Sequence, residues 1–207
     1  MEKELQRLHS LYYLIKDEIA SKLKEFEKAG EKEETAFKEL IFCILTPQSK
    51  AETCWNAVEN LFEKDVILKG SFEEIVNELK GVRFKFNKAR YIMEARKFFN
   101  GILKKINGLE SMEAREWLVR NVKGMGYKEA SHFLRNIGKG YELAILDRHI
   151  LNNLAFFKVI NGVPSTLTKK RYIQIEGKMK EFSDEIEIPM AHLDFVFWYR
   201  QTGRIFK

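Results

Sequence analysis

The sequence predicts an all-α protein, and three observations carry that expectation. Apolar residues recur at spacings of three and four through most of the 207 residues, the period of a helix with one buried face. Strand signals are few: only residues 140–146 read as extended, and no other stretch pairs with them. Short turns carrying glycine, proline or a capping residue separate the periodic stretches, and there is no internal repeat or low-complexity linker. At ordinary helix lengths the chain accommodates about eight to eleven helices.

The elements follow in order. Leu5, Leu8, Leu11, Tyr12, Ile15 and Ile19 mark an amphipathic helix that Ala29-Gly30 stops. Ala36, Phe37, Leu40, Ile41, Ile44 and Leu45 form a second, more apolar helix. Pro47 ends it, because the residue before a proline is pushed out of the α region. A third helix covers 50–62 with Trp55, Val58 and Leu61 on one side. Ser71 followed by Glu74 has the spacing of a capping box, and its helix runs to about Leu79. After the Gly81 break a helix is expected over 86–99. Asn107-Gly108 turns the chain, and Ser111 is expected to cap a helix ending at Asn121. Another helix runs from about Gly126 to Ile137, where Gly138-Lys139-Gly140 stops it. Asp147 is placed to cap the next.

Composition narrows the function classes. At 45% hydrophobic and 32% charged the chain is neither disordered nor membrane-embedded, and no apolar run approaches the ~20 residues of a spanning helix. The N-terminus is charged from Glu2 onward and has no apolar leader, so a cytoplasmic, nucleoid-associated protein is expected. Two cysteines, Cys43 and Cys54, cannot ligate a four-cysteine iron–sulfur cluster or zinc site. They are expected in the core. His9, His132 and His192 have no metal-ligand spacing and are expected at the surface or hydrogen-bonded. The net charge of +6 favours a polyanionic partner.

The most informative segment is Val122-Lys123-Gly124-Met125-Gly126-Tyr127-Lys128. Two glycines one residue apart between helices make a tight turn that lets backbone approach another surface. The backbone N–H groups at the start of the following helix suit a DNA phosphate. Together these features describe a helix–hairpin–helix. Lys128 lies two residues past Gly126, and Asp147 nineteen further on. The intervening chain is long enough to return Asp147 to the same end of the helix. Near the C-terminus Asp194, Trp198 and Gln201 stand at i, i+4 and i+7, on one helical face.

With these residues in place the chain resembles the helix–hairpin–helix DNA glycosylase superfamily, and within it the archaeal-type (type 2) 8-oxoguanine DNA glycosylase/AP lyase branch. The resemblance covers about residue 35 to the end and rests on four segments. They are the hairpin with its aspartate; Gly81-Val82-Arg83-Phe84-Lys85-Phe86-Asn87-Lys88-Ala89; the helix pair from Cys43 to Trp55 around Thr46-Pro47-Gln48-Ser49; and the C-terminal Leu193-Asp194, Trp198, Thr202-Gly203 and Lys207. Two departures are visible. Lys123 replaces the proline usual before the first hairpin glycine, and the stretch before the aspartate lacks proline. The cysteine count excludes the iron–sulfur branch.

The resemblance implies roles. Lys128 is the nucleophile and Asp147 its partner. Gln48 and Ser49 probe the duplex, Arg83 and Phe84 meet the opposite base, and His149 lies near a phosphate, with Gly124 and Gly126 on the DNA backbone. Asp194, Trp198, Gln201 and Lys207 recognise the lesion. A base must leave the stack to be excised. An ammonium cannot attack C1′, so Lys128 must lose its proton; a helix N-terminus and desolvation disfavour the charged form. Asp147 relays a proton and stabilises the cationic sugar. A Schiff base forms, and proton loss at C2′ drives β-elimination and nicks the strand. No metal and no redox cofactor is implied, although relatives hold a monovalent cation on hairpin carbonyls, here near Val122 and Met125. The partner is double-stranded DNA containing 8-oxoguanine, with no membrane, and the protein is expected to be a monomer.

Two lobes are expected: 35–137, ending in the hairpin, and 1–34 with 141–207, with the lesion cleft between them. The alternatives are a same-fold glycosylase for another damaged base and a non-catalytic helix–hairpin–helix module that binds DNA. The module needs the two glycines but has no use for Lys128 or Asp147.

Overall fold

A computed structural model describes residues 1–207. It contains twelve α-helices, one 3₁₀ turn at Arg96–Phe98 and no strand. The helices are α1 (Glu2–Ala29), α2 (Glu33–Leu45), α3 (Ala51–Glu63), α4 (Val66–Lys69), α5 (Phe72–Glu78), α6 (Lys85–Ala95), α7 (Ile102–Ile106), α8 (Ser111–Asn121), α9 (Tyr127–Asn136), α10 (Arg148–Phe156), α11 (Lys169–Glu185) and α12 (Met190–Thr202). No helix is long and apolar enough to cross a membrane. The chain divides into two compact units. One is Glu27–Lys139; the other joins Met1–Phe26 to Gly140–Lys207.

Helix α2 is the spine of the 27–139 unit. From Ala36 to Leu45 every residue but Lys38 is buried, as expected of a helix that is apolar nearly all round. Helices α3, α6, α7 and α9 pack against it. Its one buried carboxylate, Glu39, accepts a 2.8 Å hydrogen bond from Asn136 Nδ2 of α9. Helices α8 and α9 are tied by Arg115 Nη1 donating to Ser131 Oγ at 3.2 Å and by the Tyr127 hydroxyl donating to Glu116. The capping box at Ser71 forms as its spacing predicts: Ser71 N–H donates to Glu74 Oε2 at 2.7 Å and Glu74 N–H to Ser71 Oγ at 3.2 Å.

Three expectations need correction here. The helix count exceeds eleven because α4 and α7 are single turns too short for a periodic signal. Helix α4 exists because Arg96 reaches across to the carbonyls of Val66 and Ile67, at 3.1 and 2.7 Å. The helix expected over 86–99 ends at Ala95 and continues as a 3₁₀ turn, in which Phe99 N–H donates to the Arg96 carbonyl. Ser111 is not a cap. Glu110 holds the N-cap position and its N–H donates to Glu113 Oε2 at 3.2 Å, so Ser111 is the first helical residue.

In the other unit Phe157, Phe182 and Phe197 stack with centroids 5.7 to 6.4 Å apart, and Phe26 stacks on Phe195. Residues 143–146, expected to be extended, are irregular: Leu143 N–H closes a turn on the Gly140 carbonyl at 2.9 Å, Asp147 N–H closes one on the Ile145 carbonyl at 2.7 Å, and the segment joins no sheet. Their hydrogen bonds go to α11 instead. Tyr172 OH donates to the Ala144 carbonyl at 2.6 Å and accepts from Leu146 N–H at 3.3 Å, and Glu176 accepts from Ala144 N–H at 2.8 Å.

Gly30 shows how tightly the ends of this packing meet. A Cβ there would lie 2.1 Å from the Ile137 carbonyl oxygen, which is backbone and cannot step aside. Gly30→Ala is expected to lower stability by about 1–3 kcal/mol, measured as a reduced urea midpoint at unchanged m-value.

Candidate active site

The hairpin between α8 and α9 has the shape its glycines call for. Gly124 adopts φ +83°, and a Cβ on it would lie 2.5 Å from the Tyr91 ring, so both conformation and space exclude a side chain. Gly126 is extended, and its N–H is held by Glu129 Oε2 at 3.1 Å. The turn is closed by Met125 N–H donating to the Val122 carbonyl at 3.3 Å. Lys128 is the second residue of α9. Its Nζ lies 3.4 Å from Thr46 Oγ1 and 3.4 Å from Glu129 Oε1, with 22% of the side chain exposed. The amine is therefore held by a hydroxyl and a carboxylate yet remains reachable.

Thr46 opens the turn between α2 and α3, and its hydroxyl donates to the Cys43 carbonyl at 2.9 Å. Gln48, at the tip, is exposed and left-handed at φ +55°. The Ser49 hydroxyl points inward, where it accepts from Arg83 N–H at 3.0 Å and from Lys88 Nζ at 3.0 Å. The same unit thus brings together Lys128, Gln48, Ser49, Arg83, Phe84, Gly124 and Gly126. Phe84 is left-handed at φ +57° and 54% exposed, so it is not a core residue, and the Arg83 guanidinium lies 5.5 Å from its ring centroid. Lys88 lies in the matched 81–89 segment, where sequence reasoning assigned it no role of its own. It is buried at 3% exposure, and burial pulls its pKa below the usual lysine value.

The second set of residues belongs to the other unit. Asp147 caps α10: its Oδ1 accepts from Ile150 N–H at 2.9 Å, leaving the second oxygen available. His149 stands edge-on to Trp198, with ring centroids 4.8 Å apart. Trp198 is half-buried, and its Nε1 is enclosed with no hydrogen-bond partner. Asp194 is buried on the same helix and Gln201 is exposed. Lys207 is half-buried, its ammonium 5.9 Å from the centroid of the Phe26 ring. A residue not anticipated from sequence, buried Asn153, fastens these elements. Its Nδ2 donates to the carbonyls of His149 (2.9 Å) and Phe197 (3.2 Å), and its Oδ1 accepts from Arg200 Nη1 at 2.7 Å. His192 corrects an expectation: it is half-buried against Tyr12, with Nδ1 enclosed and unpartnered, and burial lowers its pKa.

Both cysteines are fully buried in the 27–139 unit. Cys54 Sγ donates to the Leu45 carbonyl at 3.1 Å, and burial raises its pKa to about 11. Cys43 is also pushed up by burial. At pH 8 the Cys54 thiolate fraction is then ~10⁻³. Native protein is expected to resist a disulfide thiol reagent at that pH, and both thiols to titrate once guanidinium unfolds it.

Comparison with known proteins places this geometry. The family model for 8-oxoguanine DNA glycosylase matches residues 19–188. A protein of Fusobacterium nucleatum described as 8-oxoguanine DNA glycosylase/AP lyase is 46% identical, over 97% of this chain and 96% of its own. The crystal structure of the 8-oxoguanine DNA glycosylase of Thermotoga maritima superposes with a TM-score of 0.91 at 34% identity, covering 100% of both chains. The Methanocaldococcus jannaschii 8-oxoguanine glycosylase/lyase, solved with a 15mer DNA containing 8-oxoguanine, gives a TM-score of 0.91 at 38% identity, over 99% of this chain and 100% of the other.

Proposed function

The chain belongs to the 8-oxoguanine DNA glycosylase family, and from that premise we propose that it excises 8-oxoguanine from duplex DNA and nicks the strand at the resulting site, with Lys128 as nucleophile. The observation that carries this reading is the Lys128 amine itself, held 3.4 Å from Thr46 Oγ1 yet still exposed, on the second residue of the helix that follows the hairpin.

The chemistry runs in balanced steps. The backbone N–H groups at the start of α9, beside Gly124 and Gly126, take a phosphate, and His149 takes another. The lesion leaves the stack, and Trp198 offers it an aromatic face, with Asp194, Gln201 and Lys207 for its polar edge. Gln48 and Phe84, exposed at two turns, occupy the gap and the neighbourhood of the opposite base. Lys128 gives up a proton; its nitrogen bonds to C1′ as the bond from C1′ to the base breaks, and the base departs protonated. The Asp147 carboxylate stabilises positive charge on the sugar and relays the proton. The amine on C1′ becomes an iminium as the ring opens. Loss of a C2′ proton then expels the 3′ phosphate, and hydrolysis of the imine frees the lysine. A monomer suffices for this reading, acting on DNA in the nucleoid. A monovalent cation on the carbonyls of Val122 and Met125 belongs to it as a structural aid.

Two substitutions test it on duplexes with one defined lesion. Lys128→Gln is expected to bind lesion DNA within about threefold of the parent while losing strand nicking and the borohydride-trapped adduct. Retained nicking would refute the nucleophile. A protein that binds tightly and never forms the adduct in its parent form would be a DNA-binding module instead. Asp147→Asn keeps an N-cap acceptor, so α10 stays capped. Its base excision is nonetheless expected to slow on the order of a hundredfold. Near-normal excision would reduce Asp147 to a helix cap.

A further inference from the structure

Lys88, on α6, is 3% exposed and has no carboxylate in contact. Its three ammonium hydrogens are matched by three oxygens: the carbonyls of Leu45 and Pro47, each at 2.7 Å, and Ser49 Oγ at 3.0 Å. All three belong to the 45–49 turn. Burying an ammonium on neutral oxygens, with the Glu129 carboxylate acting only at a distance, is costly, and an apolar side chain of similar length would fill the space at less expense. Stability alone therefore does not account for the residue. The oxygen that accepts the third hydrogen also accepts Arg83 N–H, the backbone donor immediately before Phe84. Within the same turn Thr46 touches the Lys128 amine. One buried charge thus ties the turn that carries Gln48 to the turn that carries Phe84.

We propose that Lys88 is a positioning residue for lesion extrusion: it pins the 45–49 turn and, through the Ser49 hydroxyl, the 83–84 turn, so that Gln48 and Phe84 meet the duplex as one rigid edge. The proposal rests on the reading that these turns probe lesion DNA. It makes a division that a merely structural lysine would not. Extruding a stacked, paired base needs the edge; a pre-formed abasic site has no base to extrude and needs only the nucleophile.

The test compares the full-length parent, Lys88→Met, Ser49→Ala and the double variant. Single-turnover excision is measured on an 8-oxoguanine:cytosine duplex, and nicking on the same duplex carrying an abasic site. Lys88→Met is expected to slow excision about tenfold or more and abasic nicking by less than about threefold. Adding Ser49→Ala to it should change excision by less than about twofold, because both act through one hydroxyl. Amide exchange at Arg83 should speed up about tenfold in Lys88→Met without DNA. Equal losses on the two substrates, or no loss on either, would overturn the proposal. If Lys88→Met does not fold, Ser49→Ala carries the test, with a loss on the lesion at least about threefold greater than its loss on the abasic site. Equal losses on the two substrates in Ser49→Ala would then overturn it. A parent protein inactive on 8-oxoguanine would sink the functional reading instead, and Arg83 exchange would still decide whether Lys88 pins the two turns.

Discussion

The C-terminal end of α2 lies in the protein interior, and an interior helix end leaves carbonyls that water cannot serve. The shape of the 45–49 turn, and its links to Lys128 and Arg83, depend on how that debt is met. The Leu45 carbonyl takes both the Lys88 ammonium and the Cys54 thiol, and Pro47, which has no N–H to donate, contributes a second carbonyl to the same lysine. Once those groups are satisfied the turn has little freedom left. Thr46 is fixed where its hydroxyl meets Lys128, and Ser49 where its hydroxyl meets the backbone of Arg83. A helix made apolar on every side for the sake of the core thereby dictates the form of a polar loop at its end.

The other unit solves a related problem with different means. Residues 143–146 are irregular and buried, so Tyr172 and Glu176 of α11 supply hydrogen bonds that regular secondary structure would otherwise give. That support ends at Asp147, which caps α10 with one oxygen. Asn153 then locks the first turn of α10 to α12 through two carbonyls and Arg200. A carboxylate at a helix N-cap is held in place by the backbone it serves, and its remaining oxygen keeps a fixed direction. His149 and Trp198 are set against each other by the same bond network.

Local rules made much of this legible. The capping box at Ser71, the hairpin glycines and the Asp147 cap each depend on residues within a few positions, so spacing alone located them. Helix α2 does stop before Pro47, but Thr46 keeps αR geometry (φ −66°, ψ −31°), so the cause is the missing N–H of Pro47 and not a restriction on the residue before it. Applying the capping-box spacing to Glu110 and Glu113 finds the true start of α8; a preference for serine at the cap pointed one residue too far. Helix α4 was not legible, because four residues have no period and its carbonyls are satisfied by Arg96 from thirty residues away. Lys88 and Asn153 were hidden for the same reason. A lysine in an amphipathic helix reads as solvated until its acceptors, some forty residues distant, are known. Among sixteen phenylalanines no periodicity separates Phe84 from the core; only the resemblance of the 81–89 segment does.

Backbone strain supplies what the sequence lacked at that residue. Five non-glycine residues have positive φ: Gln48, Asp65, Phe84, Lys158 and Glu187. Asp65, Lys158 and Glu187 are polar and come within two residues of a helix end, where a left-handed residue commonly stops the chain. Phe84, like Asp65 before α4, begins a helix, but it is apolar and follows no helix end closely. It holds the N-cap position of α6 without a side-chain hydrogen bond, and it exposes more than half of an aromatic ring. Folding stability would favour asparagine or glycine there on conformation, capping and exposure alike. Left-handed phenylalanine costs of order 1 kcal/mol, and with more than half the ring exposed the core recovers only part of what a buried phenylalanine would give. Gln48, strained and exposed at the neighbouring turn, joins it through Ser49. Two strained conformations at turns fastened to one buried ammonium are what the proposed rigid edge requires, since a strained backbone persists only where its surroundings over-determine it.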